Sequence, residues 1–208
     1  MGRVAAIAAL VAACLMLLSS CSQTRARYVA IQYGALGRQQ KAEGTYARLT
    51  VNDFSDVRED RDGVGVDYTN AADIFPTEPV GTSVSQVIGS ILQEKGFEVI
   101  RISRQDSPEG YSAEYEAEYH LTGAIEELTI TVKGKGLLVH FDSRGVIQFS
   151  LFNGVGKMVW SGKMQAELST SSPFVTEKAI EKSINECVML LGEALAKDEK
   201  FLAVTATR

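Results

Sequence analysis

The densest group of side chains able to do chemistry in this chain is a run of carboxylates, Asp53, Asp56, Glu59, Asp60 and Asp62, ending at Gly63. Alternating acids before a glycine are what a calcium loop requires, with ligands at the first, third, fifth and twelfth positions and glycine at the sixth. Setting Gly63 at the sixth position puts Asp62 and Asp60 on ligand positions but leaves Arg58 at the first and Thr69 at the twelfth. Both ends of the template fail, and Arg58 and Arg61 offset the acids, so the segment reads as an ion-paired surface turn and no metal is expected. His120 and His140 fall in strand-like segments. His140, Asp142 and Ser143 are too close in sequence to converge as a catalytic triad does, so the histidines are expected to face solvent at a sheet edge. Glu126-Glu127 is the one paired acid within a strand, placed as a bulge would expose it. Cys187 lies on the apolar stripe of a helix with no basic neighbour to lower its pKa, and reads as a small buried hydrophobe. The glycine pairs Gly63/Gly65, Gly134/Gly136 and Gly154/Gly156 lack the third glycine and the strand-to-helix setting of a dinucleotide loop. No catalytic residue and no cofactor emerge from these positions.

The elements that hold them follow from hydrophobic periodicity. Residues 46–54 alternate as a strand and run into the charged turn Asp56–Gly63 and a loop ending near Pro79. Val80, Val84, Val87, Ile88, Ile91 and Leu92 recur at helical spacing, with Gly96 as the C-terminal stop and Phe97–Ile102 as the next strand. Tyr119, Leu121, Gly123 and Ile125 share a strand face. The phase then slips to Leu128, Ile130 and Val132, which predicts a β-bulge at Glu126-Glu127. Leu137–Phe141 leads to a predicted turn at Asp142–Gly145, and Ile147–Leu151 to a hairpin turn at Asn153-Gly154. Met158 to Leu168 returns as a strand. Ser172 as N-cap and Pro173 at the first helical position open a last helix, with Ile180, Ile184, Cys187, Val188, Leu191 and Leu195 on its buried side. The order β-α-β-β-β-β-α predicts an α+β two-layer sandwich: an antiparallel-rich sheet of five to six strands with two helices on one face. Trp160 is expected to pack in that core near Met164.

Arg3 followed by the uncharged run Val4–Leu18 has the layout of a secretory leader, too short to cross a bilayer comfortably. Leu18-Ser19-Ser20-Cys21 resembles the lipobox of bacterial lipoproteins. The competing Val11-Ala12-Ala13-Cys14 would leave Leu15–Leu18 on the mature chain and is rejected. The lipobox resemblance implies cleavage before Cys21 and lipidation of its sulfur, a membrane anchor through acyl chains. The expected organisation is a signal peptide over 1–20, a lipidated Cys21 and tether over 21–44, and a single periplasmic α+β domain over 45–208. Without residues 1–20 the chain keeps 20 Lys and Arg against 26 Asp and Glu, a net charge of −6. Such a surface repels nucleic acid and anionic membranes, so neither is expected as a partner through charge. Only Cys187 then remains besides Cys21, which excludes an intramolecular disulfide between unmodified thiols.

Two stretches carry a family likeness. Residues 51–58, Val-Asn-Asp-Phe-Ser-Asp-Val-Arg, followed by Gly63-Val64-Gly65, a helix and Gly96-Phe97-Glu98-Val99, resemble the YajG-type lipoproteins of Gram-negative bacteria. Residues 117–125, Ala-Glu-Tyr-His-Leu-Thr-Gly-Ala-Ile, are similar to a strand of accessory lipoproteins from lipid-transport ABC systems. The chain departs from that pattern by its acidic turn and its insertion from Val66 to Pro79. The resemblance implies a fold and a location rather than a reaction. Ser22 after the lipidated cysteine resembles the outer-membrane sorting signal.

The combined expectation is a non-enzymatic accessory or assembly factor, anchored through lipid at the periplasmic face of the outer membrane and meeting an envelope protein partner. The alternative is a binding module for lipid or another small ligand, held between helices and sheet near Trp160 and Met164. The strand face opposite the helices, represented by Thr122, Glu126, Lys163 and Glu167, is the candidate partner surface.

Overall fold

The computed structural model describes residues 25–33, 46–102 and 117–206, so the leader and Cys21 lie outside the described residues. In chain order the elements are β1 (Arg25–Val29), β2 (Arg48–Asn52), β3 (Ser55–Asp56), β4 (Gly65–Asp67), β5 (Ala72–Pro76), α1 (Val80–Glu94), β6 (Glu98–Ile102), β7 (Tyr119–Lys135), β8 (Leu138–Asn153), β9 (Met158–Ser172), α2 (Glu177–Lys197) and α3 (Glu199–Thr205).

The sheet is organised by β7. Along one edge it pairs antiparallel with β8, and β8 with β9, so the three longest strands form a meander. Along its other edge it receives β2, β3 and β4 in succession, all parallel, with Thr50 opposite His120, Ser55 opposite Ala124 and Val66 opposite Thr131. β6 extends β2 in parallel; β5 pairs antiparallel with β4, and β1 parallel with β5. The phase slip read from sequence is a real bulge: Ile125 pairs with Ile147 and Glu127 with Val146, leaving Glu126 as the extra residue. It keeps Ile125 and Leu128 on the buried face.

Both long helices cover that face. The α1 stripe Val80, Val84, Val87, Ile88, Ile91 and Leu92 is buried throughout. The helix ends in a Schellman motif: Gly96 takes φ 97°, its N–H bonds the Gln93 carbonyl at 3.1 Å, and the Phe97 N–H bonds the Leu92 carbonyl at 3.1 Å. α2 buries Ile180, Ile184, Cys187, Val188, Leu191 and Leu195. The helices meet at Gly192, where a Cβ would come within 2.4 Å of Ile91 Cδ1, so this contact admits only glycine without repacking.

Several expectations need correction. The sheet is mixed and nine-stranded, not an antiparallel-rich sheet of five to six strands, and there are three helices rather than two among the described residues. The additional strands β3, β4 and β5 have two, three and five residues, too short to carry a period in sequence, and they occupy what reads as turn and loop. β1 lies inside the stretch assigned to the tether, where Tyr28, Val29, Ile31 and Tyr33 offer a short strand in the sequence; residues 21–24 and 34–44 of that stretch lie outside the described residues. The residues after β1 dock on α2, with the Ala30 N–H donating to Glu181 Oε1 and the Gln32 N–H to Asn185 Oδ1, both at 3.0 Å.

The predicted turn at Asp142–Gly145 is continuous strand. Gly145 is there because α2 crosses above it, Ser143 because its hydroxyl meets Ser183 at 2.9 Å, and Arg144 because it faces the opposite, solvated side. The β7–β8 reversal sits instead at Gly136, with φ 66°. At the β8–β9 turn Asn153 is placed as expected, but the left-handed residue is Gly156 rather than Gly154. Finally, Ser172 still belongs to β9, opposite Val139. α2 starts after Thr176, whose hydroxyl accepts the Ala179 N–H at 3.1 Å.

Gly145→Val tests the crossing. A Cβ there lies 2.7 Å from Leu191 Cδ1, and overpacking of this kind costs about 1–3 kcal/mol. The thermal midpoint should fall by several degrees, whereas Gly154→Ala, with its nearest neighbour at 3.7 Å, should leave it close to wild type.

Candidate interaction face

Alternation on the meander sends every second side chain away from the helices. Thr122, Glu126, Lys163 and Glu167, singled out from sequence, all lie on this outward face, half-buried to exposed. They are joined across strands: Lys163 Nζ pairs with Glu126, while Arg144 Nε bridges Glu127 at 3.2 Å and Glu167 at 3.4 Å. Thr122 donates to the Ser150 carbonyl at 3.4 Å, and Ser169 to Asp142 at 2.6 Å. The face is a lattice of exposed polar pairs, each of which stabilises by only about 0.2–1 kcal/mol.

Beside it lies a groove of about 740 Å³ between the acidic loop and the β4 side of β7. Glu59, Asp60, Asp62, Asp73, Glu126 and Glu127 line it. Two aromatic side chains line it: Tyr68, 64% accessible with Lys133 Nζ 5.5 Å from its ring centre, and the half-buried Phe75, whose ring pairs with the exposed Tyr28 at 5.9 Å. Among the described residues no group of three or more His, Cys, Asp or Glu side chains is arranged to hold a metal.

The acidic turn is not simply a surface ion pair. Arg58 is 5% exposed. Its Nε and Nη2 each bind Asp56 at 2.8 Å, Nη1 donates to the carbonyls of Gly63 at 2.8 Å and Leu128 at 3.2 Å, and Nη2 reaches the Arg61 carbonyl at 3.3 Å. Burial alone would raise the Asp56 carboxyl, but the Arg58 hydrogen bonds and charge outweigh it and hold the pKa below the usual carboxylate range. Asp67, missed from sequence, forms a second knot. It is fully buried and accepts from the Thr69 N–H and Arg27 Nε at 2.9 Å and from Asn70 Nδ2 at 2.8 Å. Burial is again opposed by these bonds and by the Arg27 charge, and the pKa is lowered. The Asp67-x-Thr69-Asn70 spacing of an Asx turn was the available signal.

His120 corrects the solvent-facing expectation: it is buried on β7, with Nδ1 2.6 Å from Thr50 Oγ1. Burial lowers its pKa, so the imidazole is held neutral. His140 is half-buried. Cys187 is as expected, fully buried, with its thiol pushed up to about 12 by burial and by Glu127 and Glu167. Trp160 is core: its ring meets Phe201 edge-on at 5.2 Å and fills the space over Gly162.

No protein-family model and no curated protein matches the sequence. Solved structures match in shape. A Xanthomonas campestris protein of the family DUF330 superposes with a TM-score of 0.55 at 12% identity, over 81% of this chain and 91% of that one. The neuraminyllactose-binding hemagglutinin homologue of Helicobacter pylori gives 0.47 at 13% identity, over 84% and 96% of the two chains. A Neisseria meningitidis lipoprotein gives 0.37 at 14%, over 65% and 91%. The first of these likenesses defines the class: this chain has the α+β fold seen in the DUF330 structure.

Arg58→Met would leave the Asp56 carboxylate and two buried carbonyls without their donor. Breaking a buried pair in this way costs about 3–5 kcal/mol, and Arg58→Lys should recover only part because the fork is lost. Urea unfolding of the three proteins measures both. Acid should weaken the fold in two windows. Folded His120 binds a proton less readily than the unfolded side chain, so its contribution is complete above about pH 6.5 and is lost as pH falls through its lower folded value. Asp56 and Asp67 contribute fully above 3.8 and lose their contribution as pH drops through their depressed values. In a stability-versus-pH series, His120→Gln should flatten the upper window and leave the lower one unchanged.

Proposed function

We propose that this chain is a non-enzymatic lipoprotein of the bacterial cell envelope, held by lipid on Cys21 at the periplasmic face of the outer membrane. There its domain serves as an accessory or assembly factor for a protein partner. Kinship with the YajG-type lipoproteins is part of this reading, supported by the Asp56-x-Arg58 turn that proves to be a buried structural knot. The anchor is supported by the leader and by Leu18-Ser19-Ser20-Cys21.

The observation that carries the partner is the asymmetry of the sheet. Both long helices pack on one face, while the outward residues of β7, β8 and β9 stay solvated and polar. A broad, rigid face of this kind offers surface contact to a protein without requiring the domain to open. The titratable side chains found buried are each engaged in structure, Arg58 and Asp67 in hydrogen-bonded pairs and His120 beside Thr50, which favours a scaffold over a catalyst.

Two substitutions test the reading. Cys21→Ala should abolish labelled-palmitate incorporation and leave the protein soluble in the periplasm or held as precursor; undiminished labelling would falsify the anchor. Reversing both charges, Lys163→Glu with Glu167→Lys, alters side chains that are 53% and 70% exposed. Loss of their ion pairs costs about 0.2–1 kcal/mol each, so the fold should survive. Cross-linking to the envelope partner should weaken, and full cross-linking retained by this variant would move the docking surface to the acidic turn at Asp56–Asp62.

A further inference from the structure

β9 is an edge strand. It pairs with β8 on one side and with no other described strand on its second side. Its register with β8 is unbroken from Trp160 to Ser172, and it contains no proline. A long regular edge of this kind presents free backbone donors and acceptors that can template another strand. What the edge would accept is written in its side chains. Around Gln165 the outward series is Ser161, Lys163, Gln165, Glu167 and Ser169, so that reversing its direction exchanges cation for anion and returns serine to serine.

We propose that β9 pairs antiparallel with β9 of a second copy of this chain about a two-fold axis at Gln165, setting Lys163 of each copy opposite Glu167 of the other. Opposite charges directly across a strand pair stabilise it, and like charges there destabilise it. Centring the pairing on Lys163 or on Glu167 would oppose like charges; centring it on Met164 or Ala166 would leave each charge facing Gln165 or a serine. Only the Gln165 register of these five satisfies both ions twice. Lys163 already pairs with Glu126, and Glu167 with Arg144, so the crossing contact joins two existing pairs into one alternating row.

The helix-side residues of β9 fit the same register. Met164 falls opposite Ala166 and Leu168 opposite Gly162, a large side chain against a small one in each case. Met164 and Leu168 are only half-buried in the single chain. Leu190, 41% exposed, lies one turn of α2 beyond Cys187, whose Sγ reaches the Ala166 carbonyl at 3.7 Å. A second copy on this edge would cover that apolar strip. The pairing is isologous and closes at two chains.

Disulfide trapping in native membranes of the full-length protein tests the register. In antiparallel pairing the two residues at position 165 have Cα atoms about 4.5–5.5 Å apart, within disulfide reach. Mild oxidation with copper phenanthroline should therefore convert Gln165→Cys to a species of twice the monomer mass on non-reducing gels. Ser161→Cys, whose two copies would stand about 27 Å apart at 3.4 Å per residue, should remain monomeric. The wild-type chain, with Cys187 buried, supplies the background. Lys163→Glu in the Gln165→Cys protein should abolish the dimer by opposing two glutamates, and adding Glu167→Lys should restore it. No dimer from Gln165→Cys, equal trapping from Ser161→Cys, or a dimer undiminished by Lys163→Glu would each overturn the proposal. The doubly reversed protein also separates this inference from the partner reading: it keeps the self-pairing while altering the outward face.

Discussion

The rest of the sheet depends on how one edge of β7 is closed. A strand of this length buried at its centre must pair every backbone group, and on the edge away from β8 no single described strand runs its length. β3 ends opposite Ile125 and β4 begins opposite Ile130. Between them Leu128, which is 1% exposed, has no strand neighbour on that side. The Arg58 guanidinium stands in for the missing strand, donating to the Leu128 carbonyl while its other donors hold Asp56 and the Gly63 carbonyl. Val64 then resumes the ladder by accepting from the Ile130 N–H at 2.8 Å. A single planar cation thus ties the end of β3, the acidic turn and the start of β4 to the spine. An ammonium in its place would supply the charge without the fork.

The second constraint is close approach between layers. Gly145 beneath Leu191, Gly192 against Ile91, and Gly123 beneath the Phe54 ring are positions where a Cβ would collide with an apolar side chain across the interface. Gly81 is tighter still, since a Cβ there would lie 2.0 Å from the Phe54 carbonyl oxygen, which seats the start of α1 directly on the β2–β3 connection. Interiors packed to crystal-like density leave little freedom to absorb a methyl group at such points. α2 is thereby fixed on β8 at Gly145 and on α1 at Gly192, and α1 on the β2–β3 connection at Gly81.

These two constraints explain where the polar chemistry of the chain resides. Arg58 and Asp67 are bound into knots that close sheet edges, His120 is neutral beside Thr50, and the Cys187 thiol is buried under α2. Other charges pair at the surface, some along α2 as Lys182–Glu186 and Lys197–Glu193, and others, Glu126–Lys163 and Glu127–Arg144–Glu167, in cross-strand rows on the outward face, where they order the surface more than they stabilise the fold. An acidic groove and exposed aromatic side chains adjoin those rows.

Sequence alone determined whatever repeats with a period. The α1 stripe from Val80 to Leu92, the α2 stripe from Ile180 to Leu195, the Gly96 stop and the bulge at Glu126 were legible because burial imposes a spacing of 3.6 or two on enough residues to show, and a phase slip has only one cheap cause. The outward placement of Thr122, Glu126, Lys163 and Glu167 follows from the same alternation. Only the tertiary structure decided the rest. β3 and β4 exist because β7 needs partners and β5 because β4 does, and strands of two to five residues carry no period of their own. The polar residues Asp142–Gly145 read as a turn because their reasons lie elsewhere in the chain, in α2 above and in Glu127 and Glu167 alongside. Arg58 reads as a surface charge beside Asp60 and Asp62, and becomes buried only because a carbonyl 70 residues away lacks a donor. Local pattern reports which face of an element is buried; what that face must satisfy is set by segments distant in sequence.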